Sequence, residues 1–281
     1  MTTNDLPAQM HQHDWPATTE VAASAGQGVY LFHGLGEHAG RYQHVARWFN
    51  ERGYKVAAHD HPSHGLSPGK RGVLASDNII AECAIEQYQR FAATCSEPPL
   101  LVGHSMGGAL AANLVLTARL QPSGLILSAP AFEPALGTVQ RVQLSVMYAL
   151  AKNFAVTARL SGPKLTHDLA MAQAWAADEL VTRTVSAKLI TWLIDLGAEA
   201  LRLAPELATP TLLLIPEGDE IVRPEASAEF AAHAPREWLT THLYPGLYHE
   251  IFNESEDDRA RVFADIEAWL NAGADRNKLS R

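Results

Sequence analysis

The chain has 281 residues, 47% of them hydrophobic, with 22 basic residues scattered among 31 acidic ones for a formal net charge of −9. That length supports one large core, or a core with an insertion. The scattered basic residues argue against nucleic acid and against anionic membrane, because both need clustered Lys and Arg.

Residues 1–27 read as a polar N-terminal arm ending in "ASAGQG", with one short edge strand near His13 to Pro16. The start has no basic segment followed by an apolar one, so no secretory signal is expected. From residue 28 the chain alternates. "GVYLFH" (28–33) reads as a strand, 39–52 as a helix, "KVAAHD" (55–60) as a strand and 76–95 as a helix. A strand at 99–103, a helix at 106–120 and the strand "GLILSAP" (124–130) follow. Repeated strand, helix, strand implies a mostly parallel sheet with helices on both faces, an α/β fold. Cys83 and Cys95 fall in one expected helix, ~18 Å apart at ~1.5 Å per residue, too far to bridge. Free thiols imply a reducing compartment, and no apolar run reaches the ~18 residues of a membrane span, so a cytoplasmic protein is expected.

The rhythm fails over residues 131–205, which are rich in Ala and Leu, show helical periodicity at 142–160, 170–180 and 185–196, and offer no convincing strand. They read as a helical insertion. Sheet rhythm returns with "PTLLLIPEGDE" (210–220), a helix at 224–234, the strand "WLTTHLYPG" (238–246) and a closing helix at 257–271. The expected organisation is one domain, with a core of 28–130 and 206–281 and a cap of about 131–205.

In an open parallel sheet, ligands meet the carboxyl ends of the strands. After the strand at 99–103 comes G-H-S-M-G, a match to G-x-S-x-G, in which glycines permit a tight strand-to-helix turn that exposes Ser105. A serine needs a base, and the base an acid to hold its tautomer. Asp219 follows one later strand and His249 the last, with Glu217 and Glu220 as rivals for the acid and a plain loop histidine as the alternative for His249. Negative charge on the attacked carbonyl oxygen calls for N–H donors, expected from the backbones of Met106 and of Leu35 in the loop "HGLGEHAGRY" (33–42).

These stretches, with "HDHPSHGLSPGKRG" (59–72), "LSAPA" (127–131) and "YHEIFNE" (248–254), resemble the α/β-hydrolase superfamily, and within it the monoacylglycerol lipase and lysophospholipase group of serine hydrolases. The resemblance implies Ser105 as nucleophile, Asp219 as acid, His249 as base and the amides of Leu35 and Met106 as the oxyanion hole. It implies a helical cap between the sixth and seventh strands that forms an apolar tunnel, and it matches Glu37 and Arg41 to polar positions near the glycerol end of similar lipases. A salt-linked loop is the alternative role for that pair. "HPSHG" (61–65) becomes a structural turn beneath the site, with no metal set read in it. Only "HDWPA" (13–17) survives of the family's N-terminal hairpin, which leaves the first family strand in question.

The expected activity is hydrolysis of a small-molecule, single-chain acyl ester through an acyl-enzyme, without cofactor or metal. The same triad serves thioesterases, acyltransferases and peptidases, and the fold also supports noncatalytic binding proteins. The stretch 142–160, apolar nearly all round with breaks at Lys152 and Arg159, reads either as a buried cap helix or as a lid making transient lipid or micelle contact. Trp175 and Trp192 are either tunnel lining or plain core. Oligomeric state is not legible in the sequence.

Overall fold

A computed structural model of the chain describes residues 10–17, 26–157 and 162–279, without the side chains of Pro163 and of 274–279. The rest of the expected N-terminal arm, any family strand before residue 10, and Arg159 lie outside the described residues.

Seven strands form one sheet: β1 (Gln12–Trp15), β2 (Gly28–Phe32), β3 (Lys55–His59), β4 (Leu100–His104), β5 (Leu125–Ser128), β8 (Thr211–Pro216) and β9 (Leu239–Tyr244), in the order β1-β3-β2-β4-β5-β8-β9. All neighbours are parallel except β1, which pairs antiparallel with β3. Strands β2, β4, β5 and β8 are buried at every residue, as uninterrupted apolar runs require when helices cover both faces. The edge strand β1 alternates between exposed and partly buried residues, and the edge strand β9 is largely partly buried or exposed until the buried Tyr244.

Period-two alternation divides the strand side chains between two cores. Tyr30, Phe32, Leu101, Leu127 and Leu213 pack with helices α2 (Ile79–Ala92), α3 (Met106–Leu116) and α7 (Pro224–His233). Val29, Leu31, Val102, Ile126 and Leu212 pack with α1 (Gln43–Asn50) and α8 (Glu256–Leu279). Helix α3 stops four residues before the expected Leu120, because Ala118 takes φ +55° and the N–H groups of Arg119 and Leu120 both turn back to the Leu114 carbonyl.

The insertion leaves the sheet after β5 and returns at β8, between the fifth and sixth of the seven described strands. It holds α4 (Thr138–Ala151), α5 (Leu169–Ala177) and α6 (Ala187–Leu203), and also a short antiparallel ribbon of β6 (Ala155–Thr157) and β7 (Thr184–Ser186). The ribbon corrects the expectation of no strand there: three-residue strands are too short to show a period against an Ala- and Leu-rich background. Both cysteines are free, Cys83 inside α2 and Cys95 past its end. No helix of the described residues is long and apolar enough to cross a membrane.

Candidate active site

Ser105 sits between β4 and α3 with φ +53° and ψ −118°, a backbone conformation that costs a non-glycine residue on the order of 1–3 kcal/mol. The glycines around it explain how so tight a turn packs. A Cβ on Gly107 would lie 2.2 Å from the carbonyl oxygen of Phe32, and one on Gly103 would lie 2.4 Å from that of Gly107. The turn is held by Ser105 N–H donating to the Ser128 carbonyl (3.0 Å) and by Ala131 N–H donating to the Ser105 carbonyl (2.9 Å).

Asp219 and His249 arrive on loops that follow the adjacent parallel strands β8 and β9. Gly218 N–H donates to the Leu247 carbonyl (3.0 Å), which ties the two loops together. His249 Nδ1 donates to Asp219 Oδ2 at 2.6 Å, both side chains being buried. Asp219 Oδ1 accepts from the amides of Ile221 (2.7 Å) and Val222 (3.1 Å), which aims the carboxylate. Neither rival takes that place: the exposed Glu220 pairs with Lys164 at 2.5 Å, and Glu217 meets no imidazole among the described residues.

Burial disfavours charge on His249, but Asp219, by its charge and its hydrogen bond, and then Glu250 and Glu37, outweigh it and raise its pKa above 6.5. The neighbouring imidazole of His104, 4.8 Å away ring to ring, behaves oppositely. Burial, then repulsion from His249, lowers it to about 4. Of two adjacent histidines one is basic and the other stays neutral at pH 7. Ser105 and His249 line the same cavity of about 900 Å³, and among the described residues no hydrogen bond joins them. Catalytic hydrogen bonds are often long without substrate.

The N–H groups of Leu35 and Met106 have no acceptor among the described residues, although Met106 is fully buried. Unused amides beside a serine are what a developing oxyanion requires. The loop that carries Leu35 is braced. Gly34 N–H and the Tyr42 hydroxyl both donate to Glu37 Oε1 at 2.6 Å, and Arg41 bridges Glu37 (2.6 Å) and Glu250 (2.7 Å to each oxygen). Burial opposes ionisation of Glu37, but Arg41, His104, His33 and the Tyr42 hydroxyl together hold its carboxyl down to about 2. Glu37 lines the cavity and Arg41 does not, and the two form the ion pair that the salt-linked alternative expects. The turn at 61–65 lies beneath this loop, with His61 N–H donating to His33 Nε2 at 2.9 Å.

Sequence reasoning assigned nothing to Glu250 or Glu254. The fully buried Glu254 accepts from the amides of Tyr248 (2.7 Å) and His167 (2.8 Å) and pairs with His167 Nδ1 at 3.0 Å, joining the His249 loop to the insertion. Glu250 N–H donates to the Leu165 carbonyl (2.8 Å), and Thr182 N–H to the Gly36 carbonyl (2.7 Å). Their positions in "YHEIFNE" were the available signal. Insertion residues Leu144, Met147, Val156, Trp175, Ile190 and Leu193 form the opposite, apolar wall of the cavity. Trp192 packs against the core instead.

Residues 23–256 match the family described as serine aminopeptidase, S33. A protein of Dictyostelium discoideum named as an uncharacterized abhydrolase domain-containing protein is 34% identical over 233 residues, 80% of this chain and 24% of its own length. The chain spans about half (46%) of a second relative, the uncharacterized protein YnbC of Escherichia coli. The monoacylglycerol lipase of Mycolicibacterium smegmatis is 31% identical over 250 residues, 86% of this chain and 87% of that one. Among solved structures, the monoacylglycerol lipase of Paleococcus ferrophilus superposes with TM-score 0.80 at 27% identity, covering 93% of this chain and 98% of that one. The chain belongs to this α/β-hydrolase family and is similar in sequence and fold to these monoacylglycerol lipases.

Proposed function

We propose that this member of the lipase- and esterase-type α/β-hydrolases cleaves carboxylic esters through an acyl-enzyme on Ser105, with His249 as base, Asp219 as the acid that orients it, and the amides of Leu35 and Met106 as the oxyanion hole. His249 Nε2 takes the Ser105 proton as Oγ attacks the ester carbon, and then gives it to the departing alcohol. It next takes a proton from water, which attacks the acyl-enzyme and releases the acid. The two unused amides meet the oxyanion at both stages.

The observation that carries this reading is the buried 2.6 Å bond between His249 and Asp219, on the wall of the cavity that Ser105 also lines. It fixes the proton on Nδ1 and leaves Nε2 as the base. A single-chain acyl ester is the preferred substrate, monoacylglycerol first and lysophospholipid second. In support, the cavity is at the large end of the roughly 300–1,000 Å³ range of ligand pockets, and its insertion wall is apolar. In this reading residues 131–205 act as the cap, and α4 meets lipid aggregates with its exposed Val142, Val146 and Leu150. The free cysteines favour a cytoplasmic enzyme.

A fluorophosphonate probe is expected to label the native protein and not Ser105→Ala; labelling that persists discards the nucleophile. Hydrolysis of p-nitrophenyl esters across acyl lengths, then of monoacylglycerols, lysophospholipids, acyl-thioesters and peptide amides, tests the substrate class. A preference for thioesters or amides would keep the triad and replace the substrate.

A further inference from the structure

Outside the site just described, the edge strand β1 and the turn after β3 bring together side chains that the hydrolytic reading does not use. The register that pairs Gln12 with His59 and His13 with Ala58 continues by one step, with Asp60 N–H donating to the His11 carbonyl at 2.9 Å. His11 therefore stands across from Asp60. Its own N–H donates to Ser67 Oγ (2.9 Å), and that hydroxyl donates to the Asp60 carbonyl (2.6 Å). The backbones are pinned from both sides before any ligand arrives.

Residues two apart on a strand share a face, so His11 and His13 project together, their rings edge-on at 4.7 Å, with Trp15 stacked on His13 at 5.5 Å. One nitrogen of each imidazole and one oxygen of Asp60 lie within 4.8 Å of one another. His13 Nε2 and Asp60 Oδ1 are 3.0 Å apart, near the ~3.3 Å between ligands that bonds of ~2.0–2.1 Å give around a tetrahedral ion.

The surroundings suit a ligand set. Asp60 is fully buried, and amides hold both of its oxygens, Ala39 N–H on Oδ1 and Leu66 N–H on Oδ2, each at 2.8 Å. Outer partners of this kind orient metal-binding carboxylates. Neither ring nitrogen of His11 has a hydrogen-bond partner among the described residues. Next to His13, the buried His38 Nδ1 is also unpartnered among the described residues: a Cβ on Gly40 would lie 3.0 Å from that nitrogen and 3.3 Å from His13 Cε1.

We propose that His11, His13 and Asp60 bind a divalent transition-metal ion of the zinc type, with water completing the shell. Two imidazoles and one carboxylate form a donor set suited to Zn²⁺, Co²⁺ or Ni²⁺ rather than to Mg²⁺ or Ca²⁺. Binding through Nε2 uses the neutral His13 tautomer with its proton on Nδ1, so the hydrogen bond to Asp60 is given up and metal bonds to both residues replace it. Because Asp60 Oδ1 also accepts from Ala39 N–H, the ion clamps β1 onto the loop that carries Leu35 and Glu37. His61 and His64 of "HPSHG", in which the sequence shows no metal set, are fully buried and take no part; the two histidine ligands come from residues 11 and 13, beside the turn.

The test titrates chelator-treated full-length protein with Co²⁺ and then displaces it with Zn²⁺. One equivalent of Co²⁺ is expected to bind with the visible bands of a four- or five-coordinate nitrogen and oxygen site, and thermal stability should rise with added Zn²⁺. His11→Ala removes a ring without hydrogen bonds among the described residues, so its metal-free Tm should match that of the native chain while its Co²⁺ affinity falls by more than the ~10-fold that loss of a mere outer partner costs. His13→Gln provides a second check. No binding by the native protein, or Co²⁺ binding unchanged in His11→Ala and so owed to others of the 13 histidines, overturns the proposal.

Discussion

Helices α3 and α4 are both rich in apolar residues, yet they come to opposite ends. Met106 through Val115 of α3 are all buried, whereas no residue of α4 is, and Leu150 is 82% exposed. Glycines and alanines let α3 lie directly on the sheet, its first residue following Ser105. Helix α4 turns Leu144 and Met147 toward the cavity and sets a second apolar row, Val142, Val146 and Leu150, on its solvent side. Apolar content alone therefore does not decide burial: one wall of the cavity is locked, the other stands over empty volume.

The largest effect is acid unfolding, which acts on the locked side. Burial, followed by repulsion from His33, lowers both His59 and His64 to about 3, and burial with His249 lowers His104 to about 4. Each has a folded pKa below the unfolded ~6.5, so each contributes stability that is full above pH 6.5 and is lost as pH falls toward 3 to 4. At pH 5 the loss is about 2 kcal/mol per histidine, roughly 6 kcal/mol for the three. Denaturant midpoints at pH 7 and pH 5 check this. Equal midpoints would mean that these rings are not dry.

Next comes Asp219→Asn, expected to lower kcat by about 10⁴-fold through the wrong His249 tautomer. In the native chain, activity should fall as pH drops through a value above 6.5, the folded pKa of His249 being raised. Removing the Asp219 charge should move that limb to lower pH. A large rate loss with an unmoved limb would assign Asp219 to structure.

Gly107→Ala follows. The new Cβ meets the Phe32 carbonyl at 2.2 Å and that of His33 at 2.6 Å, so α3 must lift from β2. The expected cost is at the exceptional end for one substitution, about 4 kcal/mol or more, read by denaturation. A native-like Tm would show that the contact between α3 and the sheet is loose.

The locked side was also the legible side. Runs such as "LLVGH" and "TLLLIP" announce buried strands, and G-H-S-M-G, Asp219 and His249 each follow a strand where chemistry gathers in such sheets. Their spacing could not show that Glu250 and Glu254 join loops 37 and 167 to the histidine, because those partners are more than 80 residues away in the chain. Nor could periodicity separate α4 from a core helix or place it at 138–151 rather than 142–160, since both readings predict the same apolar row.

The smallest effect on stability, and the sharpest test of the comparison, comes from α4. Val142→Gln, Val146→Gln and Leu150→Lys replace exposed side chains that do not line the cavity, so each should change stability by no more than about 0.5 kcal/mol. Turnover of a short, freely dissolved ester should stay at the native level, while turnover of the same acyl class in micelles falls several-fold, because only the aggregated substrate meets the outer row. If Tm falls instead, α4 is covered in solution and the two helices are alike after all. If micellar and dissolved substrates respond equally, the outer row has no part in reaching lipid, and the open wall serves the cavity alone.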